Sequence, residues 1–145
     1  AKKDTASLEI TPKHQVSDPG FIRFALWKGS LKIPLQNPKN FLVGIGPESF
    51  PYVFPFFRPK ELNYSSEWDF IFNKPHNYFI ELFVETGFFS LLLYLQIMFI
   101  ALWKKHPWGT SILIAFFVSN FFGWPSVVVD MYFWVLLAGV LNYEK

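Results

Sequence analysis

The chain of 145 residues divides by polarity into two halves. Most of the charged residues lie in the first 75 or so positions, whereas the stretch from Phe88 to Leu141 contains only Lys104, Lys105 and Asp130. The second half falls into three apolar runs, at about 77–103, 108–123 and 126–141. At a rise of about 1.5 Å per residue the first run crosses a bilayer core of about 30 Å, and the other two are near the lower limit of about 17 residues. We predict three transmembrane helices, the last two forming a hairpin.

The breaks between these runs predict how the hairpin lies in the membrane. Lys104, Lys105 and Pro107 end the first run, and Pro125 follows the second in a position suited to a first helical turn. Short cytoplasmic loops are rich in Lys and Arg, so the two lysines predict a cytoplasmic turn. Residues 1–76 and the turn at Trp124 then face the outside.

The polar half predicts one helix, near 19–33, with irregular segments after it. Asp18 is a good N-cap, Pro19 suits the first turn, and Pro34 ends the pattern. The positions that recur at helical spacing are Phe21, Phe24, Ala25, Lys28 and Leu31. The proline-rich aromatic segment 50–57 predicts an irregular loop packed at the interface. The predicted fold is mainly α, an extracytoplasmic loop followed by three transmembrane helices.

Composition agrees with a membrane protein and disfavours several functions. The chain is 52% hydrophobic and 21% aromatic, and it contains no Cys, so disulfides and thiolate metal sites are excluded. It has no Asp-x-Asp pair for a metal-bound sugar nucleotide, since its four aspartates are scattered, and it has no Walker loop or dinucleotide fingerprint. The chain starts at Ala1 without a signal peptide, so we expect preceding transmembrane helices in a longer protein.

The entrance to the first membrane helix carries candidate chemistry. Asn77, after Pro75 and His76, is a good N-cap, and four-residue steps place Asn77, Glu81 and Glu85 on one stripe. Polar groups in a membrane face protein or a cavity, although acidic residues in first turns also complement the helix dipole. A neutral imidazole at His76 can accept a proton from a hydroxyl, the alternative being a cap or interface residue.

The spacing of these residues resembles a known signature. His76-Asn77, nine residues, Gly87, two residues and Ser90 resemble the His-Asn-x9-Gly-x-x-(Gly/Thr/Tyr) motif of the O-antigen ligase and polymerase family of bacterial inner-membrane glycosyltransferases. Ser90 is a departure at the last position. Upstream, Arg23 and Trp27 resemble the family's Arg-x-x-x-Trp segment, which runs into a Gly-x-Gly-x-x-x-Phe turn from Gly44 to Phe50.

The resemblance implies a GT-C-like, metal-independent enzyme without a cofactor. Its donor would be a glycan on undecaprenyl pyrophosphate, and its acceptor a hydroxyl of lipid A core, another lipid or a growing glycan, at the outer face of the inner membrane. Its partners would be these substrates, membrane lipids and its own N-terminal helices, with no nucleic acid. Protein O-glycosylation is a further option, and a non-enzymatic component of polysaccharide or lipid export is the alternative function.

Each candidate residue has a role that the resemblance or its chemistry suggests. His76 would be the catalytic base, and Arg23 would bind phosphate through its guanidinium fork, unless it only stacks on Trp27. Backbone amides at Gly44 and Gly46 would approach the pyrophosphate, unless these residues form only a turn. Asn77 and Glu81, on the polar stripe, complete the substrate-binding candidates.

Four further charged residues are weaker candidates for a functional role. Asp130 lies near the start of the third run, where it suits the helix dipole better than a functional site. Arg58, Lys60 and Lys74 are possible secondary phosphate contacts, although exposed cations in loops are usually only solvated.

Overall fold

The structure, a computed structural model, describes residues 18–143 and is mainly helical, with no strand in that range. This confirms the mainly α prediction, while the parts of the predicted regions at 1–17 and 144–145 lie outside the described residues. The helices are α1 (Pro19–Ser30), α2 (Pro38–Val43), α3 (Phe50–Val53), α4 (Tyr78–Trp103), α5 (Gly109–Phe121) and α6 (Val127–Leu141), with 3₁₀ turns at Pro34–Gln36, Phe54–Phe57 and Lys60–Tyr64.

Helix α1 begins where the sequence predicts but packs through a different face. The side chain of Asp18 accepts a hydrogen bond from Gly20 N, and Pro19 lies in the first turn. The face predicted from Phe21 to Leu31 is exposed apart from Ala25, and Phe24 is 68% exposed. The packed face consists of Ile22, Ala25, Leu26, Gly29 and Ser30.

The aromatic segment 50–57 is helical, so the prediction of an irregular loop is wrong. It forms α3 followed by the 3₁₀ turn Phe54–Phe57. Pro51 and Pro55 fall in the first turn of each element, where the missing N–H is not needed. Phe50 and Phe54 stack with ring centroids 4.9 Å apart and are fully buried in the core below α1. Burial of these two rings, which local sequence does not reveal, fixes the segment.

Helix α4 joins two hydrophobic cores. The first core lies between α1, the short helices and the first turns of α4; its buried residues are Ile22, Ala25, Leu26, Ile33, Phe50, Phe54, Leu62, Phe72 and Val84. The second lies between α4, α5 and α6; its buried residues are Tyr94, Met98, Ala101, Leu113, Phe133, Leu137 and Val140. Tyr78, Phe79 and Leu82, in the first turns of α4, also pack against the second core, so these turns contact protein on both sides.

A kink at Gly87 separates these two parts of α4. Gly87 has φ 84° and ψ −179°, which is not helical, so the carbonyls of Val84 and Glu85 lie outside the regular pattern. They accept hydrogen bonds from Ile45 N (3.0 Å) and Gly46 N (2.9 Å), in the turn after α2. The kink therefore attaches α2 and its glycine turn directly to the α4 backbone.

Beyond the kink, α4, α5 and α6 leave many apolar side chains exposed. Within residues 18–143, α4 is the one helix long and apolar enough to cross a membrane by length and composition, while α5 and α6 are apolar but shorter. Val127, Trp103 and Val135 are each at least 73% exposed. The boundaries of α4, α5 and α6 agree with the predicted 77–103, 108–123 and 126–141 within two residues.

Candidate functional site

His76 is presented by a short, fixed segment in front of α4. Its backbone has φ 56°, in the left-handed region that few residues other than glycine and asparagine adopt. The preceding residue, Pro75, is buried, and its carbonyl accepts a hydrogen bond from Trp27 Nε1 at 2.9 Å. The imidazole packs against the Trp124 ring with centroids 4.8 Å apart. Two distant parts of the chain, at Trp27 and Trp124, therefore hold the segment and its imidazole in place.

Arg23 lies one turn before Trp27 on α1, so the two residues share the face that meets His76. Arg23, Glu67 and His76, together with Pro19 and Ile22, line a small cleft of about 100 Å³. Within residues 18–143 the guanidinium of Arg23 and the carboxylate of Glu67 have no hydrogen bond or ion pair. Two oppositely charged side chains thus face the cleft beside the imidazole.

Arg58 supports the loop that carries Glu67. Its guanidinium donates to the carbonyls of Glu67 (3.1 Å), Trp68 (2.6 Å) and Phe70 (3.0 Å), and it lies 5.3 Å from the centroid of the Phe72 ring. Burial lowers the pKa of Arg58, against the opposing effect of Asp69, but the group stays charged. Since Arg58 is occupied by these carbonyls, the earlier suggestion that it contacts phosphate is not supported by its geometry.

A larger cleft, of about 420 Å³, also borders the imidazole. Its lining residues are Glu67, Phe70, Ile71, Phe72, Asn73, Lys74, His76 and Trp124. His76 and Glu67 border both clefts, so a ligand in either one meets the imidazole. Sequence reasoning missed Glu67, which belongs to no local pattern, and it assigned Trp124 only to the membrane interface.

The surroundings keep His76 neutral near pH 7. Burial lowers the pKa of His76 below its usual value of 6.5, and the nearby positive charge of Arg23 lowers it further, while Glu67 opposes these effects. A neutral imidazole can accept a proton, as a general base must. In the larger cleft, burial lowers the pKa of Lys74, but its hydrogen bond with Glu81 and the nearby carboxylates outweigh this effect and raise it.

The predicted polar stripe is buried, but its members serve the fold. Asn77 caps α4 by accepting from Ile80 N at 3.0 Å and donates to Phe121 O at 2.9 Å. Glu81 pairs with Lys74 at 2.5 Å. The carboxylate of Glu85 accepts from Glu48 N (3.0 Å) and Phe50 N (3.3 Å). Neither Asn77 nor Glu81 lines the clefts around His76, so the contacts of both are structural.

Gly44 and Gly46 also lie outside these clefts. Gly44 N donates to Asn40 O at 2.9 Å, and Gly46 N donates to Glu85 O. A Cβ on Gly44 would strike the carbonyl of Glu85, and one on Gly87 would strike the carbonyl of Leu42. Both amides therefore already donate within the protein, and the glycines allow close contact between two backbones. The predicted approach of these amides to a pyrophosphate stays a prediction that this geometry does not favour.

His106 and Asp130, outside these clefts, have local partners. His106 Nδ1 accepts from Gly109 N at 2.9 Å at the start of α5, and Asp130 accepts from Trp134 Nε1 at 3.3 Å. Within residues 18–143 no group of three or more His, Asp or Glu side chains is arranged to hold a metal ion. Comparison with protein-family models, curated proteins and solved structures found no match to this chain.

Proposed function

We propose that this chain is the C-terminal part of a polytopic inner-membrane glycosyltransferase of the O-antigen ligase or polymerase type. It would transfer a glycan from undecaprenyl pyrophosphate to an acceptor hydroxyl. The observation that carries the proposal is the small cleft lined by both His76 and Arg23, two residues far apart in the sequence. A partly buried, neutral base beside a guanidinium that has no ion pair within residues 18–143 is an arrangement typical of catalytic sites rather than of cores.

The two side chains suit the two halves of the reaction. His76 accepts the proton of the acceptor hydroxyl as its oxygen attacks the anomeric carbon of the donor sugar. The bond between that carbon and the pyrophosphate oxygen breaks on the opposite face, so the configuration is inverted. Undecaprenyl pyrophosphate leaves with the electron pair of that bond. Arg23 binds the phosphate oxygens through paired N–H groups and stabilises their charge.

The contacts between the motif segments also support the proposal. The Gly-x-Gly turn donates to the carbonyls freed by the kink at Gly87, and Glu85 binds the amides of Glu48 and Phe50. The Arg-x-x-x-Trp segment contacts the residue before His76 through Trp27. The segments that carry the resemblance therefore form one unit, as a shared function requires.

The membrane assignment rests on α4 and on the exposed apolar surface of α5 and α6. At about 1.5 Å per residue, α5 and α6 are shorter than a bilayer core of about 30 Å. We propose that they form the hairpin of a larger bundle, whose other helices cover the exposed side chains. In this arrangement α1 and the clefts lie at the outer surface, where a lipid-linked donor presents its glycan.

The test is glycan transfer by the full-length protein in membranes, from an undecaprenyl-pyrophosphate donor and without added metal or nucleotide. His76→Asn is the sharpest variant, because asparagine tolerates the φ of 56° at this position. We expect a loss of about 10²-fold or more, as for removal of a general base.

His106→Asn provides a matched control. His106 accepts a hydrogen bond at the start of α5, and asparagine can replace it as a cap. Transfer should remain near the wild-type rate in this variant. Equal transfer by wild type and His76→Asn would refute the catalytic assignment, and absence of transfer by wild type with every acceptor would refute the proposed function.

A further inference from the structure

The two clefts beside His76 differ in charge, size and lining, although they share His76 and Glu67. Resting on the proposed function, we propose that the larger cleft is the acceptor subsite and that the acceptor is a carbohydrate. Trp124 would pack against the sugar ring, and Glu67 would accept hydrogen bonds from its hydroxyls. The donor pyrophosphate would occupy the side of Arg23.

The two clefts differ in whether the cation that lines them is engaged in an ion pair. Arg23 lines the small cleft, and no ion pair occupies its guanidinium within residues 18–143. The cation of the larger cleft, Lys74, is paired with Glu81 at 2.5 Å and with Glu48 at 3.5 Å. A pyrophosphate in the larger cleft would therefore meet the carboxylate of Glu67 without an unpaired cation to offset it. An uncharged ligand with many hydroxyls carries no such penalty.

Size and lining favour a sugar in the larger cleft. Its volume of about 420 Å³ falls within the range of small-molecule sites, about 300–1,000 Å³, whereas the small cleft falls below it. Trp124 remains 44% exposed and Phe70 56% exposed, so both rings offer surface to a ligand. The C–H groups of a pyranose carry partial positive charge and suit the negative face of an aromatic ring.

The polar groups of the larger cleft match hydroxyls better than a polypeptide. The carboxylate of Glu67 accepts hydrogen bonds, and the side-chain amide of Asn73 both donates and accepts them. An extended peptide usually pairs its backbone with a strand edge, and residues 18–143 contain no strand. A sugar hydroxyl in this cleft would also lie beside the imidazole, which is the group needed to remove its proton.

The experiment uses the full-length protein in nanodiscs, with undecaprenyl-pyrophosphate-linked glycan as donor. The acceptor probes are the delipidated core oligosaccharide and the repeat-unit oligosaccharide of the source strain. We expect Trp124→Ala and Glu67→Gln to raise the acceptor KM about tenfold while the donor KM stays within about twofold. Trp124→Phe should restore much of the affinity, and Arg23→Gln should raise the donor KM instead.

Trp108→Ala is the matched control, because Trp108 is 80% exposed at the opposite end of the hairpin. Its kinetic constants should equal those of wild type. A larger effect of Trp124→Ala on the donor KM than on the acceptor KM would overturn the subsite assignment. Transfer to a Ser- or Thr-containing peptide in preference to both oligosaccharides would overturn the carbohydrate class.

A binding measurement without donor separates this inference from the proposed function. Saturation-transfer NMR should detect contact between each oligosaccharide probe and the wild-type protein, and the signal should fall in Trp124→Ala but not in Trp108→Ala. Equal signals in the two variants would overturn the subsite. Failure of the proposed function would instead show as binding without transfer.

Discussion

The protonation of His76 is set by burial and by two opposing charges that share its cleft. Burial lowers the pKa of His76 most, Arg23 lowers it further, and Glu67 acts in the opposite direction. Burial and Arg23 together prevail, so the imidazole is neutral at pH 7 and ready to accept a proton. The sequence places these three residues in three separate segments, and only the packing of α1 against the α4 entrance brings them together.

Removing the charge of Arg23 and removing that of Glu67 should shift the pH dependence of transfer in opposite directions. In the proposed mechanism the neutral imidazole is the active form, so kcat/KM should rise with pH through the pKa of His76, below the usual 6.5. Arg23→Gln removes a positive charge, so the pKa should rise and the acidic limb should move to higher pH. Glu67→Gln should move it to lower pH. Full pH–rate profiles locate the acidic limb independently of each variant's maximal rate. A shift of the acidic limb in the same direction in both variants would contradict this account.

The hydrogen bond from Trp27 to Pro75 should position His76 rather than bind substrate. Trp27→Phe keeps an aromatic ring but removes the donor, leaving a buried carbonyl without its partner. We expect a loss of about 1 kcal/mol in stability and a fall in kcat with little change in either KM. Thermal unfolding and steady-state kinetics check both effects, with Trp103→Phe, at an exposed position, as control. An unchanged kcat would show that the bond does not position the imidazole.

At the scale of elements, the close approach of α2 to the kink in α4 depends on glycine. Gly44 and Gly87 both have positive φ, and a Cβ on either one would strike the backbone of the other segment. Gly44→Ala and Gly87→Ala should each cost about 3 kcal/mol or prevent accumulation of the protein. Gly139→Ala is the control, because nothing lies within 4 Å of its added methyl group, and it should be neutral or slightly stabilising.

Thermal stability in detergent, together with the amount of protein in membranes, measures these effects. If Gly87→Ala were as stable as Gly139→Ala, the backbone contact between α2 and α4 could not be as close as described. The kink at Gly87 would then have no need of glycine.

The Lys74–Glu81 pair connects the segment before His76 to α4. Glu81 is only 9% exposed at its side chain, so Lys74→Met should leave a buried carboxylate without its partner and cost about 2 kcal/mol. The double variant Lys74→Met, Glu81→Leu should recover most of that loss. Lys28→Met breaks the exposed pair with Glu61 and should lower thermal stability much less than Lys74→Met does. Additive losses in the double variant, measured by thermal unfolding, would contradict this interpretation.

Local signals predicted the helix boundaries better than they predicted the site. Asp18 and Asn77 are caps, whose hydrogen bonds reach only two or three residues along the chain, and sequence alone located both correctly. The partner of Gly46 is Glu85, which lies far along the chain, so the role of its amide could not be deduced from the turn itself. Glu67 was missed for a similar reason, because Arg58 fixes its loop through carbonyls that no side-chain pattern reveals.

At the scale of the whole molecule, both hydrophobic cores contain residues of α4, so this helix links the clefts beside His76 to the hairpin of α5 and α6. The first turns of α4 pack in the core below α1, and the part after Gly87 packs against α5 and α6. Trp124, between α5 and α6, contacts His76 at the α4 entrance. In the proposed topology, the orientation of the hairpin therefore determines the side of the membrane on which His76 lies.

This topology can be tested by cysteine labelling, since the 145 residues contain no Cys. Single cysteines at Asn63 and Trp108, both exposed, report on opposite ends of α4 and leave Lys104 and Lys105 unchanged. With any cysteine elsewhere in the full-length protein replaced, a membrane-impermeant maleimide should label Asn63→Cys in intact spheroplasts. In the proposed topology the turn with Lys104 and Lys105 is cytoplasmic, so the maleimide should label Trp108→Cys only after permeabilisation. Labelling of both sites in intact cells would show that α4 does not span, and the reverse pattern would place His76 on the side away from an outward-facing lipid-linked donor.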